Sequence, residues 1–194
     1  MSWHHDLRLG DGTPYPLRNR LEEGPEHGAI SNHGLGLTPD QCRVACAVHE
    51  LGHAVVWLAA GLHVVSLGIG DGLGGRTECG PIGDRPDGQL GRIIGVVAGE
   101  RAQDRWLRET GLWTPSRAAM AELGAAHDRA LVFASNPQPI PRFDGGPADY
   151  SQLHDLADQA LDRIWGHLAA ALPALVGQGQ MTGQELAAIT GIAT

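Results

Sequence analysis

"AVHELGHAVVW", residues 47–57, decides how this chain is read. It holds two histidines four residues apart, with a glutamate directly after the first. On a helix, residues i and i+4 stack on one face, one turn apart. His49 and His53 can then close on one metal ion from a single rigid backbone. Glu50 lies one step around the helix, placed to deprotonate a water that the metal activates. The residue frequencies of this chain give roughly 0.02 chance matches to H-E-x-x-H, so the motif stands well above accident.

The helix itself is well marked. Thr38 is an N-cap, Pro39 fits the first helical position, and Gln41 completes a T-x-x-Q capping box. Val44, Val48, Leu51, Val55 and Leu58 recur at helical spacing, and Gly61 fits the residue after the end. The prediction is a helix over 39–60. Gly52 removes bulk between the two histidines and allows a second helix to approach closely. The remaining helix is apolar, so the polar trio sits in a dry setting that is costly unless paired or metal-bound.

The third ligand is not fixed by this stretch. The metzincin pattern H-E-x-x-H-x-x-G-x-x-H fails, because position 56 is Val and position 59 is Ala. Cys42 and Cys46 share the histidine stripe. However, Cys46 and His53 are about 10.5 Å apart along the axis, too far for one zinc. Cys46 reads as a small buried side chain. His63 lies beyond the helix. Two carboxylates remain, Glu100 in "VVAGERAQDRW" and Asp128 in "GAAHDRALVFA". Both sit among small or apolar residues, as a ligand helix packed on the first requires, and spacing does not choose between them.

The rest of the chain narrows the setting. It has 194 residues, 28 Gly, 12 Pro and a net charge of −8. That length suits one domain with an arm. All 14 basic residues are Arg and none forms a block, so nucleic acid and anionic membranes are poor partners, and no nucleic acid is expected. Without Lys there is no P-loop. Three cysteines make no disulfide framework and point to a reducing, cytoplasmic compartment. The N-terminus shows no apolar signal region, and "AVVWLAAGLHVVSLGIG" (54–70) is too short and too interrupted to span a membrane.

Residues 1–37 lack periodicity and read as a flexible Gly/Pro/His-rich arm, either a tail with solvated histidines (His4, His5, His27, His33) or a segment ordered only by docking. Residues 38–194 form the domain. "LHVVSLGIG" and "GGRTECG" read as a strand pair around a Gly-rich turn. Further helices are expected over 87–109 with Asp87 as cap and Gly111 as stop, over 115–134, and from Ala148 to a stop or kink at Pro173. A last short helix follows "MTGQELAAI", where Thr182 and Glu185 make a second capping box. Residues 135–147, rich in Pro, read as a loop. The fold class is mainly α with a small β-sheet, an α+β helical domain of the H-E-x-x-H zincin kind.

Several of these pieces resemble one family in order. "AVHELGHAVVWLAAG" resembles the H-E-A-G-H-A helix of the FtsH-type zinc peptidases. "LHVVSLGIGDGLGGRTECGP" resembles the strand pair after it, and "RIIGVVAGERAQDRWL" their G-G-R-A-A-E-E helix. "AAHDRALVFA" is similar to their S-N-D-(x)₃-A-T-x-x-A segment, whose Asp is a zinc ligand. "DYSQLHDLADQALDRI…MTGQELAAI" is similar to their C-terminal helix pair. The likeness runs from about Thr38 to Ile189. It implies that His49, His53 and Asp128 bind Zn²⁺, that Glu50 is the catalytic base, and that Glu100 is a neighbour that orients rather than ligates. It further implies hydrolysis of peptide bonds in peptides or unfolded protein segments. The strand Arg76, Thr77, Glu78 and Cys79 is then the edge that meets substrate, and the arm is a segment that could occupy the cleft.

There are departures. The ATPase module and transmembrane helices of that family have no counterpart here, so the activity expected is not ATP-driven. A homo-oligomer or a separate partner protein stays open. His127 stands where the family has Asn, the T-T-G-A run is reduced to "LGAA", and the helix carrying it is longer. Two other readings compete. "HELGH" also resembles the ImmA/IrrE-type regulatory peptidases, whose Glu ligand would be Glu100. A catalytically silent binding or adaptor module, with structural zinc, is the reading that leaves Glu50 without a task.

Overall fold

The computed structural model describes residues 3, 4, 7, 15–19, 36–70, 74–82, 88–135 and 150–193. Helix α1, Pro39–Ala59, is the centre of the molecule. Its capping box forms as expected: Thr38 Oγ1 accepts from the Gln41 N–H, and the Gln41 side chain accepts from the Thr38 N–H. Ala60 caps the C-terminus, and Gly61 follows with a φ of 71°. From Ala45 to Leu58 almost every residue is buried. A helix apolar on all sides must be covered on all sides, and α2, α5 and the sheet do this.

The sheet has three antiparallel strands in the order β2-β1-β3: β1 is Val64–Ile69, β2 Gly75–Cys79 and β3 Gln180–Thr182. Leu67 pairs with Thr77 on one side and Met181 on the other. Val64, Leu67, Ile69 and Met181 are buried, which gives the sheet an apolar inner face. β2 is an edge strand. The third strand was not anticipated; it occupies only three residues before helix α6, Gly183–Thr190, whose Thr182/Glu185 capping box is present.

Helix α2, Gly88–Glu109, packs closely on α1. Gly52 makes this approach possible: a Cβ there would lie 2.6 Å from the Ala98 carbonyl oxygen and 2.8 Å from the Ala102 Cβ. Asp87, the expected cap, lies outside the described residues, as does most of the expected loop 135–147. The expected single helix over 115–134 is two helices, α3 Pro115–Gly124 and α4 Ala126–Ser135, broken at Ala125. Ala125 caps α3, with its N–H on the Ala121 carbonyl, while its own carbonyl accepts from Arg129. Pro173 does not end the helix; α5 runs from Tyr150 to Gln178 with Pro173 inside it. Pro173 and Ala169, whose carbonyl loses its N–H partner, are both exposed, so the carbonyl is open to solvent rather than buried unpaired.

Parts of the arm are docked. His4 and Leu17 exchange two backbone hydrogen bonds, of 2.8 and 2.9 Å. Tyr15 and Leu17 are buried with Ala119 and Leu123 in a second, smaller core. For these residues docking prevails over the solvated tail; His5, His27 and His33 lie outside the described residues. Among the described residues, no helix is long and apolar enough to cross a membrane.

Candidate metal centre

α1 presents His49 and His53 to α2 and to the first turn of α4. The Asp128 Oδ2 lies 3.0 Å from His49 Nε2 and 3.5 Å from His53 Nε2. One ligand atom from each of the three residues falls within a 4.8 Å sphere of mutual distances. Two ligands held tetrahedrally at the usual zinc bond lengths are about 3.3 Å apart, so the set is sized for a small divalent ion. The chemistry of the donors agrees. His53 Nδ1–H donates to the Gly95 carbonyl at 2.8 Å, which leaves Nε2 facing Asp128 and able to ligate a metal once its proton is displaced. Gly99 of α2 forms the floor. A Cβ there would stand 2.5 Å from His53 Nε2 and 2.8 Å from His49 Nε2 and would fill the space. Trp57 stacks on His53 at 5.7 Å between ring centroids, and its Nε1–H donates to the Arg92 carbonyl.

The charges at this point are mutually supporting. Burial works against ionisation of Asp128, yet hydrogen bonds from His49 and His53 outweigh it and hold the carboxyl far below the usual carboxylate range. Burial likewise opposes a charge on His53, but Asp128, Glu50 and the Gly95 carbonyl push its pKa up to about 9. A metal bound here therefore displaces a proton.

Glu50 is buried beside the histidines. Its Oε2 accepts a hydrogen bond of 2.6 Å from Thr77 Oγ1 on β2. Thr77 Oγ1 is also 3.2 Å from the Glu50 carbonyl. One hydroxyl hydrogen cannot serve both, and the shorter contact takes it. A cleft of about 840 Å³ opens over this group, walled by α1, β2, α2 and α4. Cys46, Arg76, Thr77, Gln103, His127 and Leu131 are among its lining residues.

Of the residues expected to meet substrate, Arg76 and Thr77 line this cleft. Glu78 lines a different depression, on the outer side of the sheet, and Cys79 lines neither. Cys79 is half-buried and paired in register with Val64, and burial raises its thiol pKa. Burial pushes the Cys46 thiol up to about 12, so it is an inert side chain. None of the described arm residues lines the cleft; the rest of the arm, which could occupy it, lies outside the described residues.

Glu100 is not one of the three converging residues. It accepts from Arg129 Nε at 3.0 Å and from the Tyr150 hydroxyl at 2.9 Å, and its Oε1 touches His154 Nε2. Burial opposes its charge, but the Arg129 guanidinium prevails and brings its pKa down to about 2. Burial drives His154 the other way, down to about 4, so it is a neutral donor to Glu100.

Sequence reasoning missed Arg129, Glu122, Tyr150 and His154, which build this buried network. One signal was available for the floor: Gly91, Gly95 and Gly99 recur every four residues, on one face of α2. No protein-family model matches the chain, and no curated protein matches it.

Proposed function

We propose that the chain is a zinc-dependent metalloendopeptidase with the FtsH-type site, cutting peptides or unfolded protein segments. The observation that carries this reading is the convergence of His49, His53 and Asp128, with the Glu50 carboxylate beside them and an open cleft above. His49 and His53 supply imidazole nitrogens and Asp128 a carboxylate, three protein ligands that leave a fourth position free, as catalytic zinc requires. When bound, zinc supplies a Lewis acid that polarises the scissile carbonyl and acidifies water. Glu50 takes the proton of the attacking water on its carboxylate. As the new C–O bond forms and the C–N bond breaks, Glu50 returns that proton to the leaving amine. Thr77 holds Glu50 in place through Oε2. Among the described residues β2 pairs with β1 alone, and an extended chain can add to its other edge by backbone hydrogen bonds, with Arg76 exposed beside it.

The rival regulatory-peptidase reading needs Glu100 as ligand. Both Glu100 oxygens are engaged by Arg129, Tyr150 and His154, which counts against it. The experiment is cleavage of an unfolded protein such as casein, with metal content measured on the same samples. The parent should hold one zinc and cut, and a chelator should stop it. Glu50→Gln should keep zinc and lose cleavage. Asp128→Ala should lose zinc while Glu100→Gln keeps it. Turnover surviving in Glu50→Gln would sink the mechanism. A zinc-loaded parent that cuts nothing would leave the binding-module reading.

A further inference from the structure

Two of the three ligands share one capped helix; the third does not. Asp128 stands in the first turn of α4, a helix of 10 residues that follows α3 directly. So short a helix has little stability of its own and is placed by what it packs against. Its anchor is the next residue, Arg129, which is fully buried. Arg129 donates through Nε to Glu100 of α2 at 3.0 Å and through Nη2 to Glu122 of α3 at 3.0 Å. It also donates through Nη1 to the Pro16 carbonyl at 2.5 Å. Its guanidinium carbon lies 4.6 Å from the Tyr15 ring and 4.9 Å from the Tyr150 ring.

The arm completes this anchor. Glu122, itself buried, accepts from the Arg18 N–H at 2.6 Å, the Asn19 N–H at 3.0 Å and the Asn19 Nδ2 at 2.6 Å. The Tyr15 hydroxyl donates to the Glu122 carbonyl at 2.7 Å. Leu17 drives the docking by burial against Ala119 and Leu123. Without residues 15–19, the Glu122 carboxylate keeps only Arg129 among these donors, and Arg129 loses an acceptor and a ring face. A buried charge network left partly satisfied is worse than none, and it relieves itself by opening to water. The part free to open is the α3–α4 corner, which carries Asp128.

We propose that residues 15–19 are a positioning strap for the third ligand: docked on Glu122 and Arg129, they fix the helix that presents Asp128, so arm docking and metal affinity are coupled. The strap acts through α4, since none of its residues lines the cleft. Coupling is reciprocal, so zinc must also tighten the arm. The inference rests on the metal reading of His49, His53 and Asp128.

The test uses the full chain. Zinc affinity is read by chelator competition, and backbone hydrogen exchange at residues 15–19 is read with and without zinc. Leu17→Ala undocks the strap, Asn19→Ala removes one donor to Glu122, and Leu17→Met keeps the apolar contact. Leu186→Ala, a fully buried position on α6, serves as a control for general destabilisation. The expected result is zinc affinity weakened about tenfold or more in Leu17→Ala and Asn19→Ala, the loss typical of residues that orient a metal ligand. Leu17→Met and Leu186→Ala should bind as the parent does, and zinc should slow exchange at 15–19. If Leu17→Ala does not fold, Asn19→Ala decides. Parent-like affinity in the strap variants, or arm exchange indifferent to zinc, overturns the proposal while leaving the metal site standing. A parent that binds no zinc overturns both.

Discussion

The two halves of the candidate metal centre are built on opposite plans. On one side His49 and His53 come from a single helix whose cap, spacing and packing all agree. Their separation is set by helix periodicity, and the only long-range demand is that α2 come close enough for Gly95 and Gly99 to receive the imidazoles. On the other side Asp128 owes its place to Arg129 and to partners 29, 7 and 113 residues away. The first half is preorganised by local rules; the second is held by a buried charge network. The halves should therefore fail differently, and the predictions below probe that difference.

The largest effect belongs to the network. Arg129→Met leaves Glu100 and Glu122 buried without their cation, and removing one partner of such a group costs about 3–5 kcal/mol. Urea unfolding should show this loss. An unchanged midpoint would mean that the network contributes nothing to holding α4. The same network predicts an acid limit. Glu100 titrates near 2 when folded against 4.5 unfolded, and His154 near 4 against 6.5. Both are depressed, so the unfolded chain binds the extra protons as pH falls, and stability drops with acid. The His154 part is present above about pH 6.5 and gone by about 4; the Glu100 part is present above about 4.5 and gone by about 2. Melting temperature followed between pH 7 and 3 should fall throughout, and His154→Gln should flatten the upper portion of the curve.

A smaller loss is expected on the other half. Gly52→Ala forces a methyl against the Ala98 carbonyl and the Ala102 side chain. Helices α1 and α2 must separate, at a cost of about 1–3 kcal/mol, the usual range for overpacking. Because α2 carries the Gly95 acceptor of His53, zinc affinity should fall together with the melting temperature. A variant that loses stability but keeps affinity would show that the histidine pair is indifferent to α2.

This asymmetry also explains what the sequence could tell. The helix with His49 and His53 was legible because caps, periodicity and motif are local features, and the strand pair was legible for the same reason. β3 escaped notice because Thr182 serves two masters, pairing with Ser66 and capping α6, and three residues carry no visible alternation. The α3–α4 break has one weak local signal, Gly124, set in a run of residues that otherwise continue a helix; the Arg129 contacts that hold α4 are long-range and leave no local pattern. Pro173 does not stop α5, because its cost depends on exposure, which no local pattern reveals. The docked arm had a faint signal, Tyr15 and Leu17 alternating around Pro16, but its meaning depends on Glu122, more than 100 residues on. The choice between Asp128 and Glu100 followed from a family resemblance, since local composition is alike around both. What separates them physically is Arg129, which engages Glu100 and leaves Asp128 to the histidines.

The smallest effect falls on the residue that joins the cleft to the sheet. Thr77→Val removes the hydroxyl that donates to Glu50 Oε2 and keeps the shape of the side chain. One hydrogen bond of this kind contributes about 1 kcal/mol, so the melting temperature should move little. Zinc content should not move at all, because neither half of the candidate metal centre is touched. What changes is the freedom of Glu50. A carboxylate that must meet water on one oxygen gains from having the other tethered, and loss of an orienting partner typically lowers activity about 10-fold or more. The loss should appear in kcat, with KM unchanged, because Thr77 acts on the proposed base, Glu50, rather than on substrate. A rise in KM alone would instead make Thr77 part of the substrate edge of β2, and would assign Glu50's orientation to the packing of α1.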